Sequence, residues 1–133
     1  MNNTKYTFGA VGSVLAYIFG SVDTMLITLL IFICIDFLSG VTSAIIKGEL
    51  TSSKFYIGGV KKIGILLIVA VATQLDNLII GEQTIIRVAA LSYYIACEGI
   101  SILENWGGLG LPLPKALKNA LKNLKGEDDD YDN

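Results

Sequence analysis

The sequence predicts an all-α integral membrane protein with three transmembrane helices, and two observations support this fold class. Of its 133 residues, 53% are hydrophobic and 17% are charged, against about 25% charged in an average soluble domain. Nine of the 22 charged residues lie between Lys115 and Asn133, so the rest of the chain lacks the polar surface that a soluble domain of this size needs. Three long apolar segments also follow one another along the chain, as in a small multi-pass membrane protein.

The chain divides into an N-terminal membrane segment at residues 1–23, a transmembrane helical domain at 24–105, and a C-terminal part at 106–133. Residues 8–22 are apolar but shorter than the roughly 20 residues that cross a bilayer. Their larger side chains recur every three or four residues: Phe8, Val11, Leu15, Ile18 and Val22. This period predicts an amphipathic helix in the membrane interface, with a short fourth span as the alternative.

The three spans are predicted at about residues 24–46, 63–80 and 85–103. Between the first two spans we expect a polar loop, residues 47–62, which holds four lysines, whereas the turn at 81–84 has no basic residue. Because basic residues collect on the cytoplasmic side, this loop and the C-terminus are predicted to be cytoplasmic. The predicted location is therefore the cytoplasmic (inner) membrane of a bacterial host.

A short basic amphipathic helix is predicted after the last span. Gly107, Gly108 and Gly110 interrupt the preceding helix, and Pro114 suits the first position of the next one. Residues 127–133 then form an acidic tail. The lysines expected at the membrane surface, where they attract anionic lipid, are Lys61, Lys62, Lys115, Lys118 and Lys122.

Ionisable residues inside the spans are the candidates for function, because one charge near a helix centre costs about 2.5–3.5 kcal/mol on insertion scales. They lie on polar strips that run along each helix. The strips could meet within one bundle, with Arg87 paired to Asp76 or Glu98, or they could face one another between copies and line water. The candidates for a pore or oligomer interface are Asp36, Ser39, Gly40, Ser43, Gln74, Asp76, Arg87, Tyr94, Glu98 and Ser101. Three helices cannot enclose a wide channel, so a pore requires a homo-oligomer.

Other classes of function have little support in the sequence. There is no histidine, the commonest general base and metal ligand, and no nucleophile–base pair or phosphate-binding loop. Cys34 and Cys97 are single and lie inside apolar segments, where they act as small hydrophobic residues. The net charge of −2 gives no basis for nucleic-acid binding. We therefore expect no enzyme, no cofactor and no metal site, and a lipid bilayer as the first partner.

Four stretches of the chain form a recognisable series: IDFLSGVTSAIIKGEL at 35–50, SSKFYIGGVKK at 52–62, YYIACEGISILEN at 93–105 and LGLPLPKALKNALKNL at 109–124. Together they resemble the toxin-secretion/phage-lysis holin family. Their order and spacing agree with the family over about residues 24–125. The family positions that they match are Asp36, Gly40, Gly58, Gly59, Lys61, Lys62, Glu98, Pro112 and Pro114.

The resemblance implies a holin, a non-enzymatic protein that accumulates in the cytoplasmic membrane, oligomerises, and opens pores or lesions. An endolysin or a toxin then crosses as cargo, for host cell lysis or for protein secretion. Two alternatives remain: a small channel or transporter subunit, and a regulatory membrane partner of the antiholin type.

Overall fold

A computed structural model describes residues 2–81 and 83–126, and within them all regular structure is helical. The helices are α1 (Asn2–Phe19), α2 (Thr24–Lys47), α3 (Ser52–Leu75), α4 (Ile85–Gly107) and α5 (Lys115–Lys125). A π-helical turn, Asp76–Ile80, extends α3. Three of the described helices are long and apolar enough to cross a membrane. The predicted fold class is therefore confirmed, with helices before and after the three spans.

The first half of the bundle begins and ends at recognisable helix caps. The Asp23 carboxylate accepts a hydrogen bond from the Leu26 amide at 3.0 Å, which starts α2. Gly48, with φ of 68°, ends α2 in the left-handed conformation that glycine adopts easily. Three residues after Gly48, the Thr51 hydroxyl accepts a hydrogen bond from the Lys54 amide at 3.2 Å and caps the start of α3.

The expected polar loop at residues 47–62 is wrong, because α3 already begins at Ser52. The segment is polar, but the Thr51 cap and an apolar continuation allow the helix to start eleven residues earlier than hydropathy indicates. The true connection between α2 and α3 is a short turn. Lys54, Lys61 and Lys62 therefore lie on α3 and have fixed helical positions.

Helices α2 and α4 run parallel and form most of the packed interior, and α3 runs in the opposite direction beside them. Leu29, Val69 and Leu91 are fully buried, one from each of these helices. Contacts between α2 and α4 keep one register: Asp23 pairs with Arg87 at one end, and Ser39 bonds Asn105 farther along. From this register, α2 extends about 9 Å past the end of α4.

Large apolar side chains cover the outside of the spans, as expected for a surface in contact with lipid. Leu67 and Val71 on α3 are 60% and 58% exposed, and Ile45 and Ile46 near the end of α2 are 60% and 65% exposed. Most of α1 is also exposed, and its contact with the bundle lies at its C-terminal end. Its position on the membrane surface, or across the membrane, stays a prediction.

Candidate functional site

Three charged side chains, one from each span, meet in the middle of the bundle. The Lys62 ammonium on α3 contacts the Asp36 carboxylate on α2, and it lies 2.6 Å from Glu98 Oε2 on α4. The Asp36 and Glu98 side chains are only 7% and 6% exposed. We call these three residues the central ion cluster. Two carboxylates share one ammonium there, so the cluster holds its helices together through charge-assisted hydrogen bonds.

Amide and hydroxyl groups complete the coordination of Asp36. The Asn105 amide nitrogen donates to Asp36 Oδ1 at 3.1 Å and to Ser39 Oγ at 2.8 Å. The Ser39 hydroxyl donates in turn to the Asp36 carbonyl at 3.0 Å. Among the described residues, every buried side-chain nitrogen and oxygen has a hydrogen-bond partner. The buried polar groups of this region are therefore satisfied within one chain, which removes most of their desolvation cost.

A cavity of about 330 Å³ lies beside the central ion cluster and between α2 and α3. Asp36 and Lys62 line its inner part, and Lys47, Glu49 and Lys54 line it near the α2–α3 turn. The remaining polar residues and the glycines in its wall are Gly40, Ser43, Gly58, Ser101 and Asn105. Phe37, Leu50 and Phe55 are among its apolar lining residues, so the wall is mixed. A cavity of this size that is lined by charged groups has room for several water molecules, so water can reach buried charges from this end of the bundle.

A second charged site, which we call the terminal ion cluster, consists of Asp23, Asp76 and Arg87 at the opposite end. Arg87 is 2% exposed, and its Nη1 lies 2.8 Å from Asp23 Oδ2. The same guanidinium donates to the Phe19 carbonyl at 2.7 Å and to the Ser21 carbonyl at 2.8 Å. Arg87 therefore ties α4 to the segment that joins α1 to α2.

The Asp76 carboxylate caps α4 from outside that helix. It accepts hydrogen bonds from the Ile86 amide at 2.9 Å and the Arg87 amide at 2.7 Å. These are orphan donors of the first helical turn, and a negative charge there also interacts favourably with the helix dipole. The π-helical turn that begins at Asp76 places this carboxylate opposite the start of α4.

The close approach of Arg87 requires glycine at position 20. Gly20 has φ of +79°, and a β-carbon there would lie 2.5 Å from Arg87 Nε.

The hydrogen bond from Arg87 holds the pKa of Asp23 below its usual value. Asp23 therefore stays ionised and keeps its ion pair over the physiological pH range.

The structure separates the predicted site residues into two groups. Asp36, Ser39 and Glu98 meet at the central ion cluster, and Gly40, Ser43 and Ser101 line the adjoining cavity. Asp76 and Arg87 lie at the other end, where the Gln74 amide nitrogen donates to the Tyr17 carbonyl at 2.9 Å. Tyr94 packs against the apolar core.

The pairing considered for Arg87 and the location expected for Lys62 are both wrong. The Arg87 guanidinium binds Asp23 instead of Asp76 or Glu98, because Asp76 is occupied by backbone amides and Glu98 lies three turns farther along α4. Lys62, expected at the membrane surface, is drawn into the bundle by two carboxylates. Sequence reasoning also missed the role of Asp23. Charge balance could have predicted the position of Lys62. The predicted spans contain more acids than Arg87 alone can pair with, so a second cation had to come from a neighbouring segment.

These features define a small multi-pass helical protein of the cell membrane, whose spans bury ionisable side chains against one another. The chain matches the bacteriophage holin family over residues 13–126, and it belongs to that family.

Its relatives come from bacteria and from a phage. An uncharacterized 14.9 kDa protein of Clostridium perfringens is 41% identical over 127 residues, 96% of each chain. An uncharacterized protein of Listeria monocytogenes is 40% identical over 117 residues, 88% of this chain and 83% of the relative. A probable holin of Bacillus phage phi105 is 33% identical over 114 residues, 86% of this chain and 83% of the phage protein. No solved structure matches the chain.

Proposed function

We propose that this protein oligomerises in the cytoplasmic membrane and opens pores or lesions through which an endolysin or a toxin leaves the cytoplasm. The observation that carries the proposal is the central ion cluster at mid-depth of the spans, beside a cavity that extends to the α2–α3 turn. An apolar core would hold the same helices together without buried charge. Retained charge in lipid-embedded helices points to a state in which those groups face water. The probable holin among the relatives supports the same function.

In this mechanism α3 moves away from the α2–α4 pair. The cavity separates much of α2 from α3. Beside it the Phe37 and Phe55 rings meet edge to face, with their centroids 5.0 Å apart. Departure of α3 breaks both ion pairs of Lys62 and uncovers Asp36 and Glu98. Neighbouring copies then bring such polar faces together. The faces enclose a water-filled space wider than the cavity of a single bundle.

We also place the C-terminus and the α2–α3 turn in the cytoplasm. Lys47 and Lys54 lie at that end of the bundle, while the α3–α4 connection at the other end has no lysine or arginine. Fusion of a reporter that is active only in the cytoplasm, at the C-terminus and separately in the α3–α4 connection, tests this orientation. Activity of the C-terminal fusion alone is expected, and the reverse pattern contradicts it.

Inducible expression in bacteria together with an endolysin tests the proposed function. We expect abrupt growth arrest, loss of membrane potential, and release of the endolysin into the periplasm. Selective ion flux without passage of a folded protein would indicate a channel subunit. Failure to lyse alone, with altered lysis timing beside a second holin, would indicate an antiholin.

The paired variants Asp36→Asn and Glu98→Gln connect that result to the site. Each removes one charge of the central ion cluster while keeping its size, and we expect altered lysis timing at equal protein level. Lys61→Met is the matched control, because Lys61 is exposed on the same helix as Lys62. Unchanged timing in both cluster variants would remove the cluster from the mechanism.

A further inference from the structure

Helix α5 folds back along α4 instead of extending away from the bundle. The chain reverses at Gly110, whose φ is 90°, and the Leu111 amide bonds the Trp106 carbonyl at 3.2 Å. A β-carbon at Gly107 would lie 3.0 Å from Leu113, and one at Gly99 would lie 2.7 Å from Leu121. Two leucines thus fill two notches that glycines leave on α4.

The two contacts share one antiparallel register. Leu113, in the connection just before α5, meets Gly107 near the end of α4, and Leu121, within α5, meets Gly99 two turns earlier on α4. Leu121 is 6% exposed, which makes it the buried anchor of an otherwise exposed helix. The sequence therefore specifies a helical hairpin, because a reversal followed by matched notches and knobs fixes both direction and depth.

This register carries α5 to the middle of the membrane. Leu121 contacts α4 at the level of Phe32, since a β-carbon on Gly99 would lie 3.1 Å from the Phe32 ring. The exposed Ile45 and Ile46 require lipid around the end of α2, and Ile45 lies 13 residues beyond Phe32, or about 20 Å along the helix. Phe32 is eight residues, or about 12 Å, from the other end of α2 at Thr24. Leu121 is therefore near the centre of the hydrocarbon layer.

The polar side chains of α5 are incompatible with lipid at that depth. Lys118 and Lys122 flank Leu121, and both are exposed beside a cavity of about 460 Å³ that also contains Glu104. Asn119 and Asn123 are exposed as well. Each lysine at the bilayer centre costs about 2.5–3.5 kcal/mol on insertion scales. The docked hairpin is therefore stable in a membrane only where water lies beside α5.

We propose that α5 lines the wall of the open lesion: it docks on α4 with its lysines toward the water and rests on the lipid surface while the bilayer is intact. This inference rests on the proposed function, since it needs a lesion. Leu117 and Leu124, which are 45% and 51% exposed in the docked state, provide the apolar stripe for the surface state.

A disulfide trap reports whether α5 is docked. The double variant Leu103→Cys and Leu117→Cys, with Cys34 and Cys97 changed to alanine, places thiols midway between the two glycine–leucine contacts. Purified protein is reconstituted at low and high density in dye-loaded vesicles of phosphatidylethanolamine and phosphatidylglycerol and then oxidised. We expect the disulfide mainly at the density that releases dye. A disulfide that is absent there, or equally abundant in tight vesicles, overturns the inference.

Three variants complete the test. Leu121→Ala removes the knob without touching the spans, and we expect dye release to slow by about tenfold or more, as a loss of 1.4 kcal/mol implies. Gly64→Ala is the control, since a β-carbon there meets nothing within 4 Å. Replacing Lys118 and Lys122 with leucine allows docking in lipid, so the disulfide should form at both densities. If the wild-type protein releases no dye at any density, the proposed function is contradicted. If it releases dye while the disulfide does not form, only the role proposed for α5 is contradicted.

Discussion

The two charged sites of the molecule differ in what satisfies their charges. In the central ion cluster, side chains from three separate spans satisfy one another, and two carboxylates share one ammonium. In the terminal ion cluster, Arg87 binds two backbone carbonyls and an Asp23 side chain that is 38% exposed, while Asp76 binds backbone amides. The central cluster therefore depends on the arrangement of the helices, whereas the terminal cluster anchors local segments and can use solvent.

Lys62→Met should have the largest effect, because it leaves two buried carboxylates without their shared cation. We expect a loss of about 3–5 kcal/mol of stability, the range for breaking a buried pair. Thermal unfolding in detergent measures this change, with Lys61→Met as the exposed control on the same helix.

A triple variant separates stability from function at the same site. Lys62→Met combined with Asp36→Asn and Glu98→Gln removes all three charges, so much of the stability should return. Lysis should stay defective, because α2, α3 and α4 no longer present the charges of the central ion cluster to water. Full lysis by the triple variant would show that the charges serve packing alone.

Arg87→Gln should be less damaging, because Asp23 can turn to solvent. The variant weakens the bonds to the Phe19 and Ser21 carbonyls, and we expect a net loss of about 1.5–3 kcal/mol, the range for one hydrogen bond of a charged group. Hydrogen exchange should speed up across α1 while the core of α2 and α4 stays protected. An equal loss of protection in all helices would erase the contrast between the two clusters.

Asp76→Asn tests the cap of α4 and should cost about 1 kcal/mol, because the amide group keeps one acceptor and loses the negative charge. Exchange of the Ile86 and Arg87 amides reports the change. Asn77→Ala, at an exposed neighbouring position, is the control and should leave both amides protected.

Acid should produce the smallest effect, and at the terminal ion cluster. The pKa of Asp23 is lowered by its hydrogen bond to Arg87, so its contribution is fully present above the usual aspartate pKa of about 3.9. The contribution disappears as pH falls through the lowered pKa. Exchange protection of α1 should follow this decline, and Asp23→Asn should abolish the dependence; a decline that persists in the variant contradicts the assignment.

The long-range features of the fold could be predicted because they depend on composition and length. Three apolar segments and a basic helix after two prolines led directly to the confirmed helices. The start of α3 could not be predicted in this way, because the Thr51 cap starts a helix in a segment whose hydropathy indicates a loop. Local hydrogen bonding decided that boundary.

Which residues come together in each charged site is decided by the packing of the helices. Helical spacing placed Asp36 and Glu98 on polar strips, but it gave no information about which cation would reach them from α3. Asp76 and Glu98, the two acids considered for Arg87, lie within the spans, whereas its partner Asp23 lies outside them at a helix cap. Pairing between helices follows from their relative register, which no single segment encodes.

The composition of the central ion cluster also bears on how the protein is made. A ribosome delivers Asp36 to the membrane 26 residues before Lys62 and 62 residues before Glu98. The strongly apolar α2 can enter with a solitary acid, while the more polar α4 finds its counter-charges already in place. Biosynthesis from the N-terminus thus offers each later span a partner, and a chain with its spans permuted would insert less efficiently.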